Sequence, residues 1–231
     1  MALFDPLLAT PQPDWPPAVQ LCGAPVYQER GSAVDLELEL ERFLDAGEAP
    51  VVFALGSSAV WVAGDFWDKA VAAVQPLGKR ALLITGPVKP TFSIPKVRAF
   101  PYLPYARVFP RAAAVVHAAG IGTLAQALRA GCPQLLVPVA FDQPDNAYRA
   151  TALGVARRIP FPKVTVRRLV LELDTLLTQP DYARTARAVA DEVAMTDGAA
   201  CAADVLITCL HGTAGREANS IGTSAREGGL P

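Results

Sequence analysis

The stretch from Ala112 to Gly154, AAAVVHAAGIGTLAQALRAGCPQLLVPVAFDQPDNAYRATALG, leaves the chain few ways to fold. It reads as two consecutive strand–turn–helix units. In the first, the apolar run Ala112 to Val116 ends on His117 and is followed by the glycine turn Gly120-Ile121-Gly122-Thr123. Leu124, Ala125, Ala127 and Leu128 keep helical spacing, and Gly131 stands where a helix C-terminal glycine belongs. In the second, the apolar run Gln134 to Val139 is closed by Asp142-Gln143; Pro144 suits a first helical turn and Gly154 ends the helix. Both units place their unusual polar residues where a strand gives way to a helix. In an open parallel sheet that edge is where ligands bind.

The chemistry follows from this placement. Glycines at 120 and 122 let the backbone come close to a ligand. Free N–H groups and the positive end of the helix dipole near Thr123 favour an anion, most simply a phosphate. The Thr123 hydroxyl and the His117 ring are expected to add donors. Asp142 and Gln143 together offer carboxylate acceptors and an amide with both donors and an acceptor, which suits the vicinal hydroxyls of a sugar. A phosphate cradle beside a hydroxyl reader points to a nucleotide-sugar.

Composition narrows the class without choosing the function. With 231 residues, 52% hydrophobic and 19% charged, the chain is globular with a substantial core. A net charge of −1 gives no reason to expect nucleic acid or an anionic membrane as partner. Cys22, Cys132, Cys201 and Cys209 show no CxxC spacing and no metal-ligand cluster, so they read as reduced thiols of a cytoplasmic protein. The start, MALFDPLLA, is a poor signal peptide. No apolar run approaches the ~20 residues of a membrane span.

Six prolines between Met1 and Tyr27 mark residues 1–34 as an extended linker. Asp35 to Ala46 is an amphipathic helix with Leu36, Leu40, Phe43 and Leu44 on one face. Val51 to Leu55 is a buried strand ending in Gly56-Ser57-Ser58, by itself a plain turn. A helix over Asp65 to Leu77 and strands over Ala81 to Ile84 and Val97 to Phe100 follow. Tyr102, in the aromatic and proline-rich FPYLPYARVFP, reads as a loop aromatic, and such residues usually serve packing. After Gly154 come a short strand, Val155 to Ile159, and helices from Val166, over Tyr182 to Met195 and over Ala199 to Leu210. The nucleotide-sugar domain thus spans 35–210. Residues 211–231, HGTAGREANSIGTSAREGGLP, are rich in Gly, Ser and Thr and are expected to be disordered.

His117, Gly120, Gly122, Thr123 and the following ALRAGCPQLLVPVAFDQPDNA resemble the donor-binding signature of UDP-dependent glycosyltransferases of the two-domain GT-B fold, a family that includes sterol and flavonoid glucosyltransferases. The likeness runs from about Pro6 to about Leu206 and corresponds to the family's C-terminal half only. It implies an α/β, Rossmann-like, mostly parallel sheet of six strands with helices on both faces. It implies a UDP-sugar as substrate, no cofactor and no metal. It assigns Ser57, His117, Gly120, Gly122 and Thr123 to the donor diphosphate, Tyr102 to stacking on the base, and Asp142 and Gln143 to the hexose. Ala119 stands where the family has the first of two glycines, so its methyl is expected to crowd the diphosphate. The family's general base is a histidine in the N-terminal half. The only histidine here besides His117 is His211, in the expected tail, so no catalytic base is assigned.

Two other readings stay open. Gly120, Gly122 and Ala125 satisfy G-x-G-x-x-G/A, and Asp142 follows at the distance of a ribose-binding acid, so an NAD(P)-binding domain fits locally. Three strands precede that glycine turn, whereas the fingerprint normally follows the first. The chain also fits a non-catalytic donor-binding subunit whose acceptor-binding domain lies on a separate chain.

Overall fold

The computed structural model describes residues 1–26, 34–88 and 94–221, with side chains at all of these except 34–37 and 212–221. The chain runs α1 (Val34–Asp45), β1 (Val51–Ala54), α2 (Gly56–Ala59), α3 (Phe66–Val74), β2 (Ala81–Ile84), β3 (Val97–Phe100), α4 (Tyr105–Val108), β4 (Ala114–His117), α5 (Ile121–Arg129), β5 (Gln134–Leu136), α6 (Gln143–Ala152), β6 (Ala156–Arg158), α7 (Val166–Thr178), α8 (Pro180–Ala194) and α9 (Gly198–Ile221). The six strands form one sheet in the order β3-β2-β1-β4-β5-β6, and every pairing is parallel. The α/β Rossmann-like class read from the sequence is the fold observed.

Register fixes where ligands can go. Phe100, Ile84, Ala54, His117, Leu136 and Arg158 pair in one row across the sheet. This row ends all six strands at one edge. Strand order reverses direction between β1 and β4, so the loops leaving these two strands diverge and open a crevice.

Both sheet faces are covered, as apolar parallel strands require. Val51, Phe53, Leu83, Val116 and Leu135 face α3 and α7, joined by Phe66, Leu169 and Leu173. Val52, Ala54, Leu82, Phe100 and Val115 face α1 and α4, where Leu40, Phe43 and Leu44 supply the amphipathic face read from the sequence; the Leu36 side chain lies outside the described residues. A third cluster joins α5, α6 and α8 through Leu124, Leu128, Ala147, Ala150, Ala186 and Val189.

Local propensity misjudged three places. Gly56-Ser57-Ser58 is the start of a one-turn helix, continued by a 3₁₀ turn over Val60–Val62. The first residues, read as an extended linker, are packed: Leu8 is buried in the third cluster with Phe4 and Leu7 against it, and Arg149 Nη1 donates to the Leu8 carbonyl. Beyond Cys22 this segment crosses the root of α9. A Cβ on Gly23 would lie 2.5 Å from Thr196 Cγ2, and one on Gly198 would lie 2.5 Å from the Gly23 carbonyl oxygen. Finally, α9 continues past His211 to Ile221, so the boundary expected at Leu210 falls inside a helix; 27–33 and 222–231 lie outside the described residues. The stretch Pro180–His211 contains an 18-residue window of mean hydropathy 1.5, the one stretch among the described residues with the length and apolarity of a membrane span. It is two helices, interrupted between Ala194 and Gly198.

Candidate functional site

A cavity of about 660 Å³ opens at the C-terminal ends of β1, β2 and β3, against the first turn of α5. Ser57, Tyr102, Gly122 and Thr123 line it together with Trp61, Ile84, Gly86, Pro104, Tyr105 and Gln126. Four of the residues singled out from the sequence therefore converge on one space, although they come from three separate loops.

Each is held there for a local reason. Gly56 adopts φ +82, a conformation favourable only without a Cβ, and turns the chain sharply out of β1 into α2. That turn exposes Ser57 and brings Gly56 beside α5, where a Cβ would lie 3.7 Å from Thr123 Oγ1. Thr123 pairs with the hydroxyl of Tyr105, whose ring stacks on Phe109 at 4.5 Å. In Tyr102-Leu103-Pro104, Leu103 is buried in the second core cluster and Pro104 precedes α4. Anchoring at 103 leaves Tyr102 on the cavity wall, 48% exposed. Its ring is available to a ligand and is not a packing residue.

Gly120 precedes α5, and Ile121, Gly122 and Thr123 form its first turn, so their N–H groups have no helical acceptor. A Cβ at 120 or 122 would meet no protein atom within 4 Å. Packing of the chain itself does not require either glycine; the space is open to a ligand. No Lys, Arg, His, Asp or Glu lines the cavity among the described residues. An anion here would be held by N–H groups, hydroxyls and the helix dipole rather than by cations.

His117 does something other than the direct phosphate contact expected of it. It is fully buried, and both ring nitrogens are engaged. The Ala119 N–H donates to Nδ1 at 3.1 Å, so Nε2 carries the proton and lies 2.9 Å from Gln134 Oε1. Burial pushes its pKa down to about 4, against a smaller upward pull from Gln134. The neutral ring has no donor left for a ligand. It holds the loop instead. Gln134 in turn keeps a buried Nε2 without a partner.

The methyl of Ala119 also goes elsewhere than expected. Ala119 has φ +65, is fully buried and belongs to the third core cluster. Its side chain points into the core, so it does not crowd the cavity.

Asp142 and Gln143 do not line the cavity and lie at the neighbouring strand end, where Asp142 is exposed and Gln143 buried. Gln143 Oε1 accepts from the Val139 and Ala140 N–H groups at 2.8 and 3.2 Å, so this acceptor serves its own loop and the amide donors remain. Asp142 Oδ2 accepts from Asn146 Nδ2 at 2.7 Å. Sequence reading missed Asn146, Tyr105, Trp61 and Gln126. Only Asn146 carried a local signal, its i+4 spacing from Asp142.

The six-stranded parallel sheet with helices on both faces matches the fold of solved GT-B glycosyltransferases. Residues 85–209 match the family described as erythromycin biosynthesis protein CIII-like, C-terminal domain, and the chain belongs to it. Among curated relatives, O-mycaminosyltylonolide 6-deoxyallosyltransferase of Streptomyces fradiae is 36% identical over 198 residues, covering 84% of this chain and 46% of that protein. Vancomycin aglycone glucosyltransferase of Amycolatopsis orientalis is 38% identical over 211 residues, covering 88% and 48%. The spinosyn rhamnosyltransferase SpnG complexed with thymidine diphosphate has the same fold, with a TM-score of 0.70 at 21% identity over 87% of this chain and 54% of that one. The chain thus spans about half the length of the curated relatives it matches. These relatives are named for O-mycaminosyltylonolide and for vancomycin aglycone, not for the sterols or flavonoids suggested by the sequence.

Proposed function

We propose that the chain binds a pyrimidine nucleoside diphosphate sugar and forms the donor half of an inverting glycosyltransferase. The carrying observation is the convergence of Ser57, Tyr102, Gly122 and Thr123 on one uncharged cavity at the sheet's switch point. Tyr102 stacks on the base. Ser57, Thr123 and the free N–H groups after Gly120 hold the diphosphate, and His117 keeps their loop in place from below. Asp142 and the Gln143 amide read the sugar hydroxyls from the adjacent loop. During transfer an acceptor hydroxyl attacks the sugar carbon, and the α5 N-terminus stabilises the leaving diphosphate.

UDP was the nucleotide suggested by the sequence; the thymidine diphosphate in a related fold makes deoxythymidine an equal choice. The acceptor we propose is a hydroxyl of an aglycone, of the kind for which the O-mycaminosyltylonolide and vancomycin aglycone transferases are named. It would be carried by an N-terminal acceptor-binding domain, on the same or a separate polypeptide, acting in the cytoplasm. That domain supplies the general base, because His211 is exposed on α9 and no acid or histidine lines the cavity among the described residues. Calorimetry with UDP, thymidine diphosphate and their glucose conjugates, set against NAD, tests the reading. Binding of either pyrimidine diphosphate in preference to NAD is the expected result. Preference for NAD would return the glycine turn to the dinucleotide-binding reading that its local spacing also allows.

A further inference from the structure

Of the two non-glycine residues at positive φ among the described residues, Phe141 is exposed and Ala119 is buried. Ala119 sits between His117 and Gly120, in the loop that sets the direction of α5. A Cβ disfavours this conformation, so something must hold it. The peptide groups on either side of Ala119 are both fastened. Its N–H donates to His117 Nδ1, and its carbonyl accepts from Asn146 Nδ2 at 3.0 Å.

The same Asn146 nitrogen donates to Asp142 Oδ2 at 2.7 Å. An amide nitrogen has two hydrogens, and here both acceptors are oxygens, so the orientation of the amide is fixed by its partners. Asn146 is carried on α6, one turn beyond Asp142, and its own N–H bonds to the Asp142 carbonyl. One side chain on a regular helix therefore ties the loop after β4 to the carboxylate at the start of α6.

We propose that Asn146 is a positioning residue of the donor site. Its amide keeps Ala119 left-handed and aims the Asp142 carboxylate, so that the diphosphate loop and the sugar loop are set relative to each other. This rests on the donor reading of those two loops.

The test is a double-mutant cycle on the whole chain: wild type, A119G, N146A and A119G/N146A. Affinities are measured for UDP, thymidine diphosphate and their glucose conjugates, and urea midpoints are measured on the unligated proteins. N146A is expected to weaken nucleoside diphosphate binding about tenfold, within the range that coupled neighbours show. In the A119G background, where glycine adopts the loop conformation unaided, that loss shrinks to within about twofold. The additional loss on the glucose conjugates persists in both backgrounds, because Asp142 has still lost its partner. Asn146→Asp, which matches the amide in shape but places a carboxylate against two oxygens, weakens binding at least as much as N146A.

Urea midpoints follow the same pattern: N146A lowers the midpoint in the Ala119-containing chain more than in the A119G background. Additive midpoints, or equal affinity losses in both backgrounds, overturn the proposal. Non-additive midpoints in a chain that binds neither nucleotide would overturn the donor reading and leave the loop clamp standing.

Discussion

Lowering the pH from 7 to 5 is expected to destabilise this domain through a single side chain, His117. In the unfolded chain its imidazole takes up a proton near pH 6.5; in the folded chain burial holds it neutral down to about pH 4. Between these values the unfolded state binds more protons, so stability falls as pH falls. The contribution is complete above about pH 6.5 and is lost progressively toward pH 4. Each pH unit inside the window costs about 1.4 kcal/mol, which gives about 2 kcal/mol by pH 5. That is a sizeable share of the roughly 5–15 kcal/mol typical of a domain. Carboxylates titrate over part of the same range, so a control is needed. His117→Asn places an amide oxygen near the Nδ1 position, where it can still accept from Ala119 N–H, and removes the titrating ring. Urea unfolding of both chains, followed by circular dichroism at pH 7 and pH 5, isolates the difference. Wild type should lose about 2 kcal/mol more than the variant. Parallel losses would mean that the ring is already protonated or hydrated in the folded state, and would refute the buried neutral tautomer.

Three further outcomes are expected. Tyr102→Ala should leave the unfolding midpoint unchanged, because the ring is half exposed, yet weaken pyrimidine diphosphate binding by the roughly 1–3 kcal/mol of a base–aromatic stack; calorimetry reads this directly. Thr165, whose hydroxyl oxygen accepts from Arg168 N–H at 3.2 Å, caps α7, so Thr165→Ala should cost about 1 kcal/mol in urea unfolding without altering nucleotide affinity. Cys132 is buried with its thiol pushed up to about 11, whereas Cys209 is exposed. Iodoacetamide at pH 8 should therefore modify Cys209 well before Cys132 by peptide mass mapping; early modification of Cys132 would contradict its burial.

The strands β1, β2, β4 and β5 were legible because each is a short, mostly apolar run, as both covered faces of a parallel sheet demand, whereas the edge strands β3 and β6 carry arginines and fit that pattern less well. The α5 and α6 turns were legible because glycine, proline and the Asp142-Gln143 pair mark them locally. The helices α2 and α4 were not, since four residues carry no helical period. The packing of Leu8 was hidden for a different reason: prolines describe the backbone of that segment, and burial depends on helices far along the chain. The hydrogen bonding of His117 was not legible because its strand-end position is local, while Gln134, which accepts from its Nε2, lies on the next strand, and the Ala119 N–H that sets its tautomer is turned toward it only by the fold. Ala119 shows the same limit. Sequence gives its departure from a glycine pattern, but only the fold shows that its methyl turns inward.

The crossing of Gly23 and Gly198 has a consequence for how the domain opens. Backbone meets backbone there with no room for a methyl group, so residues 24–197 form a loop whose two ends touch. The N-terminal segment is itself fastened by the Ala2 and Cys22 amides, which bond to the Gln20 and Ala2 carbonyls. Loosening the first residues therefore frees the root of α9, and fraying of that root frees the first residues. In hydrogen exchange the amides of Ala2, Cys22 and Cys201 should exchange as one cooperative unit, although they lie at opposite ends of the sequence.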